Sequence, residues 1–185
     1  MDLDWTKELV EQLDWHWSTS LRPRLDGLTD AEYFDEPVAG CCNVRPRDES
    51  AAPVQGGSGP FVIEFQMPAP DPAPVTTIAW RLGHVIVGVL AMRSASHFGG
   101  PPTDYMTHGY AGTAAGALAQ LDEAYQNWIT GVRGLDADGL ATPCGPTEGP
   151  YAEFPMATLV LHIHREAIHH GAEIALLRDL YRHRA

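Results

Sequence analysis

"HIHREAIHHGAEIALLRDLYRHR", residues 162–184, holds five of the chain's nine histidines and two glutamates, on a stretch whose spacing predicts a long helix. Leu159, Ile163, Ile174, Leu177 and Tyr181 mark its apolar stripe, and Glu166 and His170 fall at intervening positions of the same stripe. Side chains four residues apart differ by only about 40° around a helix axis. Glu166 and His170 therefore project inward together from consecutive turns, and His162 lies one turn further back on that row. A buried carboxylate ion is costly unless it is paired or holds a metal. Carboxylate plus imidazole at this spacing lets one helix give two ligands to a metal in a bundle core. A buried hydrogen-bonded pair satisfies the same spacing equally well.

A third group bears on that choice. His84, in "RLGHVIVGV" (81–89), is the one ionisable residue between Arg81 and Arg93, in the most apolar helix of the chain. Alone it reads as a histidine satisfied within the core. Together with Glu166 and His170 it reads as the third ligand of a divalent metal. Three protein ligands leave a position open for water or substrate, the pattern of catalytic rather than structural sites. Two neutral histidines and one carboxylate suit zinc, with iron or nickel as alternatives.

Outward from this helix the chain reads as four long helices. Residues 4–25 carry Leu9, Leu13, Trp17 and Leu21 at helical spacing, and Pro23 should kink or end that helix early. "LTDAEY" restarts with Thr29 or Asp30 as cap. Residues 36–60, rich in Pro, Gly, Cys and Ser, read as loop. "FVIEF" (61–65) reads as a short strand, and "MPAPDPAP" (67–74) as turn or polyproline segment. Residues 76–96 form an apolar helix, 97–109 a loop and 110–134 a third helix with Leu118, Leu121, Tyr125, Trp128 and Val132. "GLDADGL" and "CGPTEGP" are turns, and 155–183 is the fourth helix. The expectation is an all-α four-helix bundle, one domain over residues 1–185, with a long crossover connection between the first and second helices.

The 185 residues are 44% hydrophobic and 19% charged, enough chain and apolar content for a real core. The net charge of −12 argues against general nucleic-acid binding and against docking on anionic membranes. Asp2, Asp4 and Glu8 interrupt the start, so no signal peptide is expected, and no apolar run reads as long enough to span a bilayer. Cys41, Cys42 and Cys144 are too few for a disulfide framework, so a reducing cytoplasm is expected. Cys41-Cys42 reads as packing or as a metal-reactive pair.

Other candidates surround the ligand set. Arg45 and Arg47 could form a fork for a carboxylate or a sugar-linked thiol, or sit ordinarily on the surface. His162 could orient a ligand. Tyr105 and His108, in a Gly/Pro-rich loop, are candidates for a site entrance. His16, between two tryptophans, reads as packing. His164 and His169 read as solvated, and Glu173 as an ordinary helix partner of His169. "HREAIH" is not the zinc-protease motif, because its histidines are five apart.

Several segments carry a family resemblance. "DWHWSTSLRPRLDGLTDAEY" resembles the first helix and turn of the DinB/YfiT-like superfamily of metal-binding four-helix bundles. "NVRPR" resembles the segment after it, with Cys42 where a tryptophan is common. "PVTTIAWRLGHV" is similar to the second-helix motif that ends in a metal histidine. "EAIHHGAEIALLRDL" is similar to the last-helix motif whose Glu-x-x-x-His completes the set. The chain looks closest to the actinobacterial branch with mycothiol-dependent maleylpyruvate isomerase and mycothiol S-transferases. The resemblance implies metal ligation by His84, Glu166 and His170. It also implies a low-molecular-weight thiol such as mycothiol, whose thiolate attacks an electrophile or adds to an unsaturated acid. Three functions stay open: a thiol transferase or isomerase, a thiol-independent metal hydrolase or isomerase, and a non-enzymatic metal-binding bundle. The expected partners are a small thiol and an electrophile, and a homodimer is left open.

Overall fold

The computed structural model describes residues 3–184; Asp2, cited above at the N-terminus, lies outside them, as do Met1 and Ala185. Asp4 opens the first helix, its carboxylate accepting the backbone N–H of Lys7. Helix α1 covers residues 5–24 as three stretches wound end to end, Trp5–His16, Trp17–Leu21 and Arg22–Arg24, the middle one π-helical. Pro23 sits in the last turn and does not break the helix. A proline ring presses on the carbonyl four residues back, and the widened turn ahead of it absorbs that conflict. Thr29 then caps helix α2 (Asp30–Tyr33) in a reciprocal box with Glu32.

The all-α expectation needs one correction. Residues 36–60 are not all loop: they hold strands β1 (Val44–Pro46) and β2 (Val54–Gly56), which flank β3 (Phe61–Phe65) in the antiparallel order β1-β3-β2. Val44 and Gly56 both stand opposite Ile63. Three-residue strands are too short to show a period of two, whereas "FVIEF" was long enough to read. The fold is thus mainly helical with a small sheet.

Helix α3 (Ile78–Phe98) starts at a Thr77 cap and contains a π-helical stretch, Val85–Ala91. Helix α4 (Ala114–Arg133) starts later than its periodicity suggests, because Thr113 takes the Gly116 N–H and fixes the cap there. "GLDADGL" winds partly into helix α5 (Ala137–Ala141), and "CGPTEGP" into a 3-10 turn, Pro146–Tyr151. Helix α6 (Met156–Arg182) closes the fold.

α1 packs on α4 and α6, and α3 packs on the same two. The first two long helices therefore face each other across the bundle, which is why a long connection joins them. The sheet in that connection rests on the first turns of α3. Leu13, Leu82, Leu90, Leu121, Trp128, Ile129, Ile163 and Ile174 fill the centre, almost wholly removed from water. Each such aliphatic side chain contributes about 1.5–3 kcal/mol. α3 is itself long and apolar enough to cross a membrane, contrary to the sequence reading, but 56% of its most apolar window is buried in the bundle. That is the position of a core helix.

Candidate metal centre

α3 and α6 are neighbours, and their contact decides the site. His84 closes the regular first part of α3, directly before the π stretch. Its Nε2 lies 3.1 Å from Nε2 of His170 on α6, with the rings nearly perpendicular. Glu166, one turn earlier on α6, places Oε2 3.5 Å from the same His170 nitrogen. Ligand atoms on a tetrahedral zinc, with bonds of about 2.0–2.1 Å, stand about 3.3–3.4 Å apart. The two separations at His170 lie on either side of that distance, so each of these two pairs, taken by itself, is spaced as ligands of a small divalent ion would be.

The far side of each ring is held as well. A carboxylate can only accept, so His170 Nδ1–H donates to Glu173 Oε2 at 2.6 Å, which leaves the Nε2 lone pair facing His84. Arg81 Nη1 stands 3.3 Å from that Glu173 oxygen and holds the carboxylate in place. His84 Nδ1 is 2.5 Å from the Tyr105 hydroxyl, and the Trp80 indole stacks on the His84 ring. Partners of this kind fix the tautomer and orientation of ligating histidines. Burial, reinforced by the nearby His170 and Arg81, pushes His84 down to about 4, so its imidazole is neutral and keeps a lone pair at ordinary pH. Burial also pushes the Tyr105 phenol up to about 12, so it stays protonated.

Gly88 makes room for that phenol. A Cβ at position 88 would lie 1.9 Å from the Tyr105 oxygen. Gly88→Ala should therefore expel the Tyr105 hydroxyl from His84 and shift the His84 imidazole resonances in a long-range 1H–15N spectrum. Unchanged resonances would show that the phenol does not hold that ring.

A cavity of about 280 Å³ opens beside these groups, walled by His84, Gly88, Met92, Arg93, Tyr105 and Glu166 among others. Among the described residues, the group whose ligand atoms all lie within 4.8 Å of one another, and which could hold a metal ion, is His169, His170 and Glu173, an outer set beside the inner one of His84, Glu166 and His170. The two sets compete for His170. The inner one draws on two helices and is half-buried, with His170 itself buried. The outer one comes from a single turn of α6, with the His169 side chain 64% exposed.

The other sequence candidates separate from this centre. His162 is exposed at the cavity edge, 2.5 Å from Arg165 Nη2 and 3.6 Å from Glu166, and touches neither ligand histidine. Arg45 is engaged by Glu36 and Glu64, and Arg47 by the carbonyls of Gly57 and Gly59. Both arginines brace the sheet segment and neither lines the cavity. His164, read as solvated, is instead buried against the Trp128 ring, and burial pushes it down to about 4. α6 is covered on two flanks by α1 and α3, so its buried band is wider than one apolar stripe. His108 and His16 each bury Nε2 without a partner among the described residues. Cys41 and Cys42 are buried free thiols, raised by that burial, and pack. Glu173 pairs with His169 at 3.6 Å, as the spacing predicts, and stands closer still to His170. The i,i+3 spacing from His170 was the signal for its orienting contact.

A family model described as the DinB superfamily matches residues 12–174. The chain belongs to the DinB superfamily. Neither a curated protein nor a solved structure matches it. The DinB match takes in His84, Glu166, His170 and Glu173 together.

Proposed function

We propose that this DinB-superfamily chain is a metal-dependent enzyme that activates a low-molecular-weight thiol for transfer to an electrophile or for isomerisation. His84, Glu166 and His170 would hold the ion, zinc ahead of nickel or iron, and mycothiol is the thiol suggested by the resemblance. One observation carries the reading. His84 from one helix and Glu166 from the other both approach His170 Nε2 beside an open cavity, while Tyr105 and Glu173 occupy the far side of both rings. A divalent ion in such a site lowers the pKa of a coordinated thiol, or of water, toward neutrality.

The chain's own residues supply the rest. Glu173 keeps the proton on His170 Nδ1, and Arg81 holds Glu173 in place. Tyr105 holds the His84 ring against rotation. Glu166 is the single anionic donor, so the set stays of modest charge. The expected partners are the thiol and its electrophile, with neither nucleic acid nor membrane given the charge of −12. A homodimer is compatible with this reading. Three free, buried cysteines suit a reducing cytoplasm.

The test is metal analysis of the purified protein, then a screen of mycothiol and other thiols against a chlorinated aromatic. Conjugation above the buffer rate supports the reading. Turnover that needs metal but no thiol would favour a hydrolase, and no turnover with bound metal a non-enzymatic role. Glu166→Gln should cut metal affinity strongly while leaving far-UV circular dichroism unchanged. It removes the one negative ligand but none of the apolar stripes that hold the bundle. A metal-free protein that is unfolded would make the metal structural and overturn the catalytic reading.

A further inference from the structure

Arg93 lines two cavities at once. The smaller, about 280 Å³, reaches His84, Tyr105 and Glu166. The larger, about 480 Å³, is walled by Tyr151, Phe154, Leu159 and Leu161. The two also share His162, so they adjoin. Arg93 Nη1 stands 3.4 Å from Glu148, whose other contact is His97 at 2.9 Å. Arg93 Nε, by contrast, is buried with no hydrogen-bond partner among the described residues. A buried donor left unmet costs about 1–3 kcal/mol. A ligand acceptor at this point would recover it.

The shape of the unmet group says which acceptor. With Nη1 turned to Glu148, the Nε–Nη2 edge of the guanidinium remains, and that edge matches the two oxygens of a carboxylate. Arg165 adds a second cation on the wall of the larger cavity. In a chain of net charge −12, two arginines over one hollow run against the general charge. Glu148 and Glu166, on the walls of the two cavities, disfavour a dianion such as a phosphate monoester. The far wall is apolar: Tyr151 and Phe154 lie edge to face at 5.9 Å, and are 64% and 48% exposed. Rings left this wet gain by covering an apolar body.

We propose that the paired cavities bind an apolar, preferably aromatic, carboxylic acid, with its carboxylate on the Nε–Nη2 edge of Arg93 and its body against Phe154 and Tyr151. This names the substrate class for the function above and rests on that reading only for the use made of the acid. Binding itself needs no metal.

The experiment compares phenylacetate with its uncharged isostere phenylacetamide by titration calorimetry. It uses the protein as purified and after chelation. Wild type should bind phenylacetate at least tenfold more tightly than the amide in both preparations. Arg93→Gln strands Glu148, so the double variant Arg93→Gln/Glu148→Gln is measured beside it. In both variants the preference should shrink to within twofold. Equal binding of the two probes by wild type, or no binding of either, overturns the proposal. So does a preference that survives in the double variant. Zinc content of the same samples separates this result from the metal reading. Acid preference in a protein that carries no zinc, nickel or iron as purified and takes up none when they are added supports the acid site and removes the metal function, and metal retention without acid preference does the reverse.

Discussion

His84→Ala should lose thiol conjugation down to the buffer rate and lower zinc affinity by about a hundredfold or more. Even partners of metal ligands change affinity by 10–100-fold when removed, and His84 would be the only ligand from α3. The fold should survive, because the change removes one partly buried ring and leaves the neighbouring Leu82, Val85 and Ile86 in the core. The measurement is zinc competition against a chelator, with conjugation rates for a small thiol and a chlorinated aromatic. Equal rates in both proteins would remove the thiol-transferase assignment. An unchanged zinc affinity would move the ion to the His169, His170 and Glu173 group, and His169→Ala would then be the damaging variant.

Arg178→Met should cost about 3–5 kcal/mol of stability, because it takes from a buried carboxylate the better buried of its two cations. Arg178 is 3% exposed, and its Nε donates to Glu32 Oε1 at 2.9 Å. Arg182 reaches the same oxygen from a half-exposed position, and Thr29 bonds the other. Burial raises the Glu32 pKa, but the bonds from Arg178, Thr29 and Arg182 outweigh it and bring the group down to about 2 from 4.5. A carboxylate depressed in the folded state adds stability above its unfolded pKa and loses it as pH falls through the folded one. Here that is roughly 3 kcal/mol, present at pH 7 and lost between about pH 4.5 and 2. Urea unfolding of wild type and Glu32→Gln should therefore differ at pH 7 and converge toward pH 2. A gap that does not close with acid would mean that the Glu32 charge adds nothing.

Helical periodicity made the core of the centre legible. It converts sequence distance into angle, so Glu166 and His170 could be put on one face of α6, and His84 within an apolar run of α3. The 3.1 Å approach of His84 to His170 is a tertiary fact that spacing alone only suggested through chemistry. Tyr105 reaches the site from a loop, where no period exists to place a side chain. Glu173 has neighbours at both i−3 and i−4, and periodicity does not say that the contact to His170 is the closer. His164 is buried rather than solvated because a helix flanked on two sides buries more than one apolar stripe. Arg93 reads in the sequence as the mere end of an apolar run, since an unmet buried N–H exists only in the folded chain.

The π-helical stretch Val85–Ala91 sets the phase between His84 and Arg93. His84 and Arg93 are nine positions apart. On a regular α-helix nine residues turn through about 900°, which leaves the pair on opposite faces. A π turn holds one residue more than an α turn, so everything after it is set back by about 100°. The pair then stands about 80° apart on this count, and both side chains overlook one cavity. One codon gained or lost within residues 85–91 would rotate the second half of α3 against the first. A lineage could in this way change which side chain faces the centre while every loop, cap and ligand stays as it is.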